Sequence, residues 1–277
     1  MKLYHGSTSV CSAKVRLGLA ERGLDWDGQI LDLGKGEQSS DWYLALNPNG
    51  VVPTLVDGDL TVVESSVILE HLDSVGAATT LMPDNPAART RARMWLAACI
   101  DIHAAINTMT FATSKRDELL ASRTPEQLSA SIARMAHPAN AAKRRDILDN
   151  GLQSTHVTTA FFTLRDMFDR MDRALSECDW LLGQEYSIAD TAILAYVDRL
   201  DRLGLAVMFE ARTPSIAGWL DRSRERPSYR TAVEAYAGPA EHDRALPAAA
   251  ANRAMIEPLW SEFVGRPTGQ GQCRDAN

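Results

Sequence analysis

Between Gly50 and Glu64 the chain reads GVVPTLVDGDLTVVE, and no other stretch restricts the fold as much. Its β-branched run is split by Asp57-Gly58, a dipeptide that favours a tight hairpin turn, so two short strands joined as a hairpin are expected. Pro53 stands where a proline normally demotes a strand, because it has no N–H for the ladder. At the start of an edge strand, after a sharp turn, a cis X-Pro bond would fit. It would turn the Val52 backbone outward and leave its N–H and C=O free for an extended ligand.

The residues before and after extend the pattern. MKLYHG reads as a strand, and SAKVRLGLAERG as a helix with Val15 and Leu19 one turn apart and Gly23 as its C-cap. LDWDGQILDL is a second strand, DWYLALNP a short helix stopped by Pro48, and SSVILEHLDSVG a helix with Val67, Ile68, Leu69 and Leu72 inward. The order βαβαββα is an α/β layer fold over residues 1–75. Residues 76–86, with Pro83 and Pro86, read as a linker. Residues 87–236 are almost wholly helical in pattern, with Met94, Trp95, Ala98, Ile102 and Ile106 on one stripe. Phe161, Leu164, Phe168, Met171 and Leu175 form another. YSIADTAILAYVDRL opens with the Ser187/Asp190 capping-box pair, and a further helix stops at Pro227. Residues 237–277 are a C-terminal extension, expected to be partly disordered, with one apolar group at Met255, Ile256, Leu259, Trp260 and Phe263.

Composition narrows the function. No apolar run in the 277 residues approaches the roughly 20 needed to span a bilayer, and the N-terminus lacks a signal-peptide core. A cytoplasmic protein with no membrane partner is expected. With 29 basic and 36 acidic residues the formal charge is −7, which argues against nucleic acid as the partner. The basic AAKRRDIL segment reads as a solvated helix face. Cys11, Cys99, Cys178 and Cys273 show neither CxxC nor metal-ligand spacing, so no metal is expected. Cys99 and Cys178 read as fillers in helices and Cys273 as a tail residue. Cys11 alone has suggestive surroundings. It lies in STSVCSAK, where hydroxyls and a thiol crowd the mouth of a helix, a place that favours anions.

Four stretches in order, STSVCSAKVRLGLAERG, NPNGVVPTLVDGD, VVESSVILEHL and YSIADTAILAYVDRL, resemble the glutathione transferase family. The resemblance covers residues 1 to about 236. It implies a thioredoxin-like N-terminal domain that binds glutathione, followed by an all-α domain carrying a second-substrate pocket, usually as a homodimer. GKGEQSSDWYLALNPNGVVPTL and the segment from Arg123 to Leu152 resemble the bacterial aryl-ether-cleaving, or β-etherase, branch. SVCSAK is similar to the reductive dehalogenases, where a serine and a cysteine two residues on both sit by the glutathione sulfur.

Residue by residue, the resemblance implies the following roles. Ser9 is the first choice for the hydroxyl that stabilises the glutathione thiolate. Cys11 matches the dehalogenase cysteine and would form a mixed disulfide, the alternative being a half-buried filler. Ser12 matches the serine favoured among β-etherases, the alternative being a helix cap. Val52, set by Pro53, would pair its backbone with the cysteinyl part of glutathione. Glu64 and Ser65 would take the γ-glutamyl end, and Lys35 and Gln38 the glycyl carboxylate or simply solvent. A thiol of pKa about 8.5 becomes mainly thiolate at neutral pH once the anion gains roughly 2.7 kcal/mol of preferential stabilisation, within reach of a hydroxyl and a helix terminus.

His103, Asn107 and Phe111 would line the pocket for a small hydrophobic electrophile, His103 and Trp95 having core packing as their alternative. The expected activity is that of a glutathione S-transferase, including β-aryl ether cleavage. Reductive dehalogenation through Cys11 and a non-catalytic interaction module are the alternatives. A thioredoxin-type reductase is disfavoured because no second cysteine lies near Cys11.

Overall fold

The computed structural model describes residues 1–75, 80–237 and 239–265 of the chain. Strand β1 (Lys2–His5) pairs in parallel with β2 (Asp27–Ile30), and the crossover between them is helix α1 (Val10–Glu21). After α2 (Asp41–Leu46) come β3 (Thr54–Asp57) and β4 (Leu60–Val62), turned at Gly58 with φ +58°. The sheet order is β2-β1-β3-β4, and α3 (Ser65–Ser74) covers it beside α1. The βαβαββα order therefore stands. β3, however, is an internal strand rather than an edge, paired to β1 through Leu3↔Leu55 and to β4 through Leu55↔Val62. Pro53 is tolerated because it precedes the ladder, joined to Val52 by a cis bond.

Helix α1 is buried from Cys11 to Leu19 because it has two apolar faces. Val15 and Leu19 face the sheet and pack with Leu3, Leu55, Val62, Ile68 and Leu72. Ala13 and Leu17, about half a turn away, enter the core of the helical half. The helix closes on Gly23 at φ +59°, with Gly23 N–H donating to Ala20 O at 3.1 Å and Leu24 N–H to Leu19 O at 3.0 Å, a Schellman end. One expectation for α3 fails: Val67 is 52% exposed, while Ile68, Leu69 and Leu72 are inward.

The helical half begins with α4 (Pro86–Thr110), capped by Asn85 and followed by a π-helical turn over Phe111–Lys115. Then come α5 (Arg116–Ser122), α6 (Pro125–Ala133), α7 (Pro138–Asn150) and α8 (Thr155–Leu175). They are followed by α9 (Ile188–Arg202), α10 (Val207–Glu210), α11 (Pro214–Arg224), α12 (Pro227–Ala232) and α13 (Pro239–Gly265). Helix α9 runs buried between α1 and α4 and carries the expected Ser187/Asp190 capping box. The stripe expected on α8 is wholly buried, but Met94 of α4 is 59% exposed. Cys99 is buried with its S–H on Trp95 O at 3.3 Å, whereas Cys178 follows α8 in a loop, not a helix. Linker residues 76–79, tail residues 266–277 and Cys273 lie outside the described residues. Among the described residues no helix is long and apolar enough to cross a membrane.

The C-terminal extension, expected to be partly disordered, forms α13 over Pro239–Gly265. Ile256, Trp260 and Phe263 recur at helical spacing and are buried, with the Trp260 ring 5.3 Å from Phe161 and 6.2 Å from Phe168. Asn252 Nδ2 ties the helix to Leu203 O and Ser114 Oγ, both at 2.9 Å. Gly204 permits this docking. It sits at φ +76°, and an added Cβ would lie 2.1 Å from Ala249 O. Gly204→Ala is therefore expected to lower stability by about 2 kcal/mol or more and to speed amide exchange over residues 249–263 selectively. Unchanged exchange there would refute the proposed dependence.

Candidate functional site

One end of the sheet gathers the chain segments singled out above. Tyr4 pairs with Thr54 in the antiparallel register, so the residues entering β3 run beside those leaving β1. Ser9, the N-cap of α1, accepts the Ser12 N–H on its Oγ at 3.3 Å, and Ala13 N–H takes Ser9 O at 2.8 Å. The Val10 and Cys11 N–H groups at this helix mouth have no hydrogen-bond partner among the described residues. Such an open first turn favours a negative charge. Ser9 is half-buried and its hydroxyl hydrogen is available to donate. Ser12 has no exposed surface and accepts the Gly6 N–H on its Oγ at 3.1 Å, which ties it to the backbone.

Val52 is half-buried, and its main-chain groups have no partner among the described residues. Its neighbours are held firmly. Val51 O accepts from Tyr43 Oη at 2.7 Å and Asn47 Nδ2 at 2.8 Å, and the same two side chains reach Thr54 Oγ1 at 2.9 and 3.0 Å. Tyr43 and Asn47 are completely buried, and burial raises the Tyr43 hydroxyl so that it remains a donor. Sequence reasoning misses these two clamp residues; an Asn just ahead of the Pro53 turn is the available sign.

At the start of α3, Glu64 is exposed with φ +70°, the one non-glycine residue in that region among those described, and Ser65 is buried. A strained residue at a helix mouth points to constraint by function. Lys35 is 79% exposed and paired to Asp32 at 3.2 Å, while Gln38 is half-buried with Oε1 buried and unpartnered. Both ride the loop leaving β2 at this end of the sheet. An open cleft bordered by Ser7, Thr8, Ile30, Leu33 and Glu37 lies between that loop and the α1 mouth, but neither Lys35 nor Gln38 lines it.

Cys11 is buried beneath the mouth, with Sγ 3.9 Å from Tyr196 Oη of α9. Burial pushes its thiol up. His103, as a nearby charge and hydrogen-bond partner, together with Lys14 and the Ser65 hydroxyl, more than offsets this and brings the thiol to about 7. The imidazole of His103 is pushed down by burial and raised more by Cys11, a net rise. His103 is half-buried with its ring centroid 6.4 Å from that of Tyr196, so it belongs to the site as well as to the packing. Tyr196 and Lys14, both fully buried, also escape sequence reasoning. Cys99 borders Tyr196 too, so a second thiol does approach Cys11, contrary to the sequence expectation.

Asn107 and Phe111 are half-buried further along the same helix, and Trp95 is core, 5% exposed. The AAKRRDIL segment is less solvated than expected: Lys143 Nζ donates to Ala104 O at 2.9 Å, and the Arg144 guanidinium lies over the Phe111 ring. Among the described residues no cluster of three or more His, Cys, Asp or Glu is placed to hold a metal.

Two family models match the chain: the glutathione S-transferase N-terminal domain over residues 8–75 and the C-terminal domain over 153–227. Protein LigF of Sphingobium sp. (strain NBRC 103272 / SYK-6) is 30% identical over 84% of this chain and 93% of its own. Tetrachloro-p-hydroquinone reductive dehalogenase of Sphingobium chlorophenolicum is 29% identical over 84% and 95%. The crystal structure of the β-etherase LigF from Sphingobium sp. strain SYK-6 superposes with a TM-score of 0.74 at 28% identity, covering 84% of this chain and 98% of that one.

Proposed function

Because the chain belongs to the glutathione S-transferase family, we propose that it binds glutathione across the open sheet end and aims the thiolate at a small hydrophobic electrophile. The observation that carries this is the unpaired main chain of Val52 beside the open first turn of α1 and the strained start of α3. Val52 takes the cysteinyl backbone, Glu64 the γ-glutamyl amine, Ser65 its carboxylate, and Lys35 and Gln38 the glycyl end. The Ser9 oxygen accepts the Ser12 N–H, and its hydroxyl hydrogen is the donor to the glutathione sulfur. The thiolate then attacks carbon, and a phenolate or halide departs with the bonding pair. The named activities of two relatives, a β-etherase and a reductive dehalogenase, support an aromatic electrophile for this chain, including an aryl ether. His103 and Asn107 of α4 and Phe111 of the π-helical turn that follows it line its pocket. Retention of the ligand-binding set speaks against a non-catalytic module.

A second reading is favoured by the low thiol of Cys11. An aryl–glutathione adduct is attacked at sulfur by the Cys11 thiolate, and the aryl group leaves with the electron pair and takes a proton. The protein–glutathione disulfide that forms is cleaved by a second glutathione thiolate, which restores Cys11 and releases oxidised glutathione. The unbridged thiols Cys11, Cys99 and Cys178 support a cytoplasmic setting. Val67 and Met94, exposed on α3 and α4 beside the Arg93–Glu70 pair, support a homodimer.

Ultraviolet titration of bound glutathione tests the first reading. The bound thiol is expected to ionise about two pH units below the free peptide, and Ser9→Ala should return about one of them. Equal acidity of the free and bound thiol would sink the proposal.

A further inference from the structure

Lys14 has no exposed surface, and no carboxylate lies within ion-pair distance of it among the described residues. A buried ammonium without an anion is costly, so the structure must give it a compensating charge. Its Nζ donates to Ser66 Oγ at 2.9 Å and to Tyr196 Oη at 3.4 Å, and Ser66 passes its own hydrogen to Leu96 O at 3.0 Å. An ammonium only donates, so the tyrosine oxygen is the acceptor in that contact. The Tyr196 hydroxyl hydrogen is then left for another atom, and Cys11 Sγ stands 3.9 Å from that oxygen. Cys99 is not the recipient of charge: its S–H donates to Trp95 O, and burial holds its thiol up.

We infer that Lys14 and Tyr196 form a buried relay that supplies the counter-charge for Cys11, with Lys14 as the positioning residue for a Cys11 thiolate. The groups facing the sulfur come from four elements: Lys14 on α1, Ser65 on α3, His103 and Cys99 on α4, and Tyr196 on α9. His103 forms the second half of the counter-charge, half-buried and titratable. Lys14 is the half held in place by the fold, through Ser66 and Tyr196. The inference deepens the Cys11 arm of the proposed function and rests on it only for the use made of the thiolate. The geometry it is argued from is that of the free chain.

The test is the pH dependence of Cys11 alkylation by iodoacetamide in the full chain without glutathione, read by mass spectrometry on the Cys11 peptide. The unsubstituted chain is expected to show a midpoint near neutrality. Lys14→Met should lower the rate at pH 6 on the order of tenfold by moving the midpoint up about one pH unit. Lys14→Arg should recover part of it. The Lys14→Met shift should persist in a His103→Gln background, which separates the contribution of Lys14 from that of His103. An unmoved midpoint in folded Lys14→Met overturns the inference. Should that variant fail to fold, Tyr196→Phe decides, since it removes one hydroxyl: an upward shift supports the relay and an unmoved midpoint overturns it. Because glutathione is absent, failure here leaves the glutathione-binding reading standing, and failure of the glutathione titration leaves this one.

Discussion

Asp190→Ala should lose on the order of 4 kcal/mol of stability, a large part of the roughly 5–15 kcal/mol that holds a typical domain. The carboxylate has no exposed surface and takes four donors. Oδ1 accepts Leu181 N–H at 2.9 Å and Trp219 Nε1 at 2.8 Å; Oδ2 accepts Ser187 N–H at 3.0 Å and Ser187 Oγ at 2.6 Å. Alanine would leave three N–H groups and a hydroxyl buried and unpaired, each worth about 1–3 kcal/mol. The loss also reaches beyond the cap, because these donors belong to the loop before α9, to the residue that caps it and to α11. Asp190→Asn should fall between the two, since it keeps an acceptor for Leu181 and Trp219 but sets an amide N–H₂ against the Ser187 donors. Urea unfolding measures this. A loss under about 1 kcal/mol for alanine would mean that water or a rearranged loop takes over the donors. The site should weaken with the fold, because α9 carries Tyr196 to Cys11.

What can be read from the sequence is local. Asp57-Gly58, Gly23 and the Ser187/Asp190 box each impose a conformation within a few residues, so they identify turns, ends and starts directly. The internal position of β3 is hidden because it depends on β1, fifty residues earlier, pairing on one side and β4 on the other. Val67 and Met94 are apolar at helical spacing yet exposed, since a period cannot say where the buried face ends. In α13 the difference runs the other way: the Ile256, Trp260 and Phe263 spacing is visible, but turn residues at its start obscure the helix. The open edge at Val52 and the hydroxyl-rich mouth at Ser9 are legible as chemistry. Their support is not. Tyr43 and Asn47 look like ordinary residues of a short helix, and Lys14 looks like a solvated lysine until Tyr196 is folded against it.

Cys11→Ala should separate the two reactions proposed for this site. Turnover of a preformed aryl–glutathione thioether, with oxidised glutathione as co-product, is expected to fall by at least about 10³-fold, because the nucleophile that accepts the glutathionyl group is gone. Displacement from a chromogenic nitroaryl halide should change by less than about fivefold, since glutathione's own sulfur attacks there and Ser9 with the open turn of α1 is untouched. The pH profile gives a second reading of the same site. Thioether cleavage should rise through about 7 as the Cys11 thiolate forms. If Cys11→Ala slowed both reactions alike, the thiol would be part of the glutathione-activating apparatus and the two-step route would be wrong. If it slowed neither, Cys11 would be a packing residue whose acidity serves no reaction, and Ser9 would carry the chemistry alone.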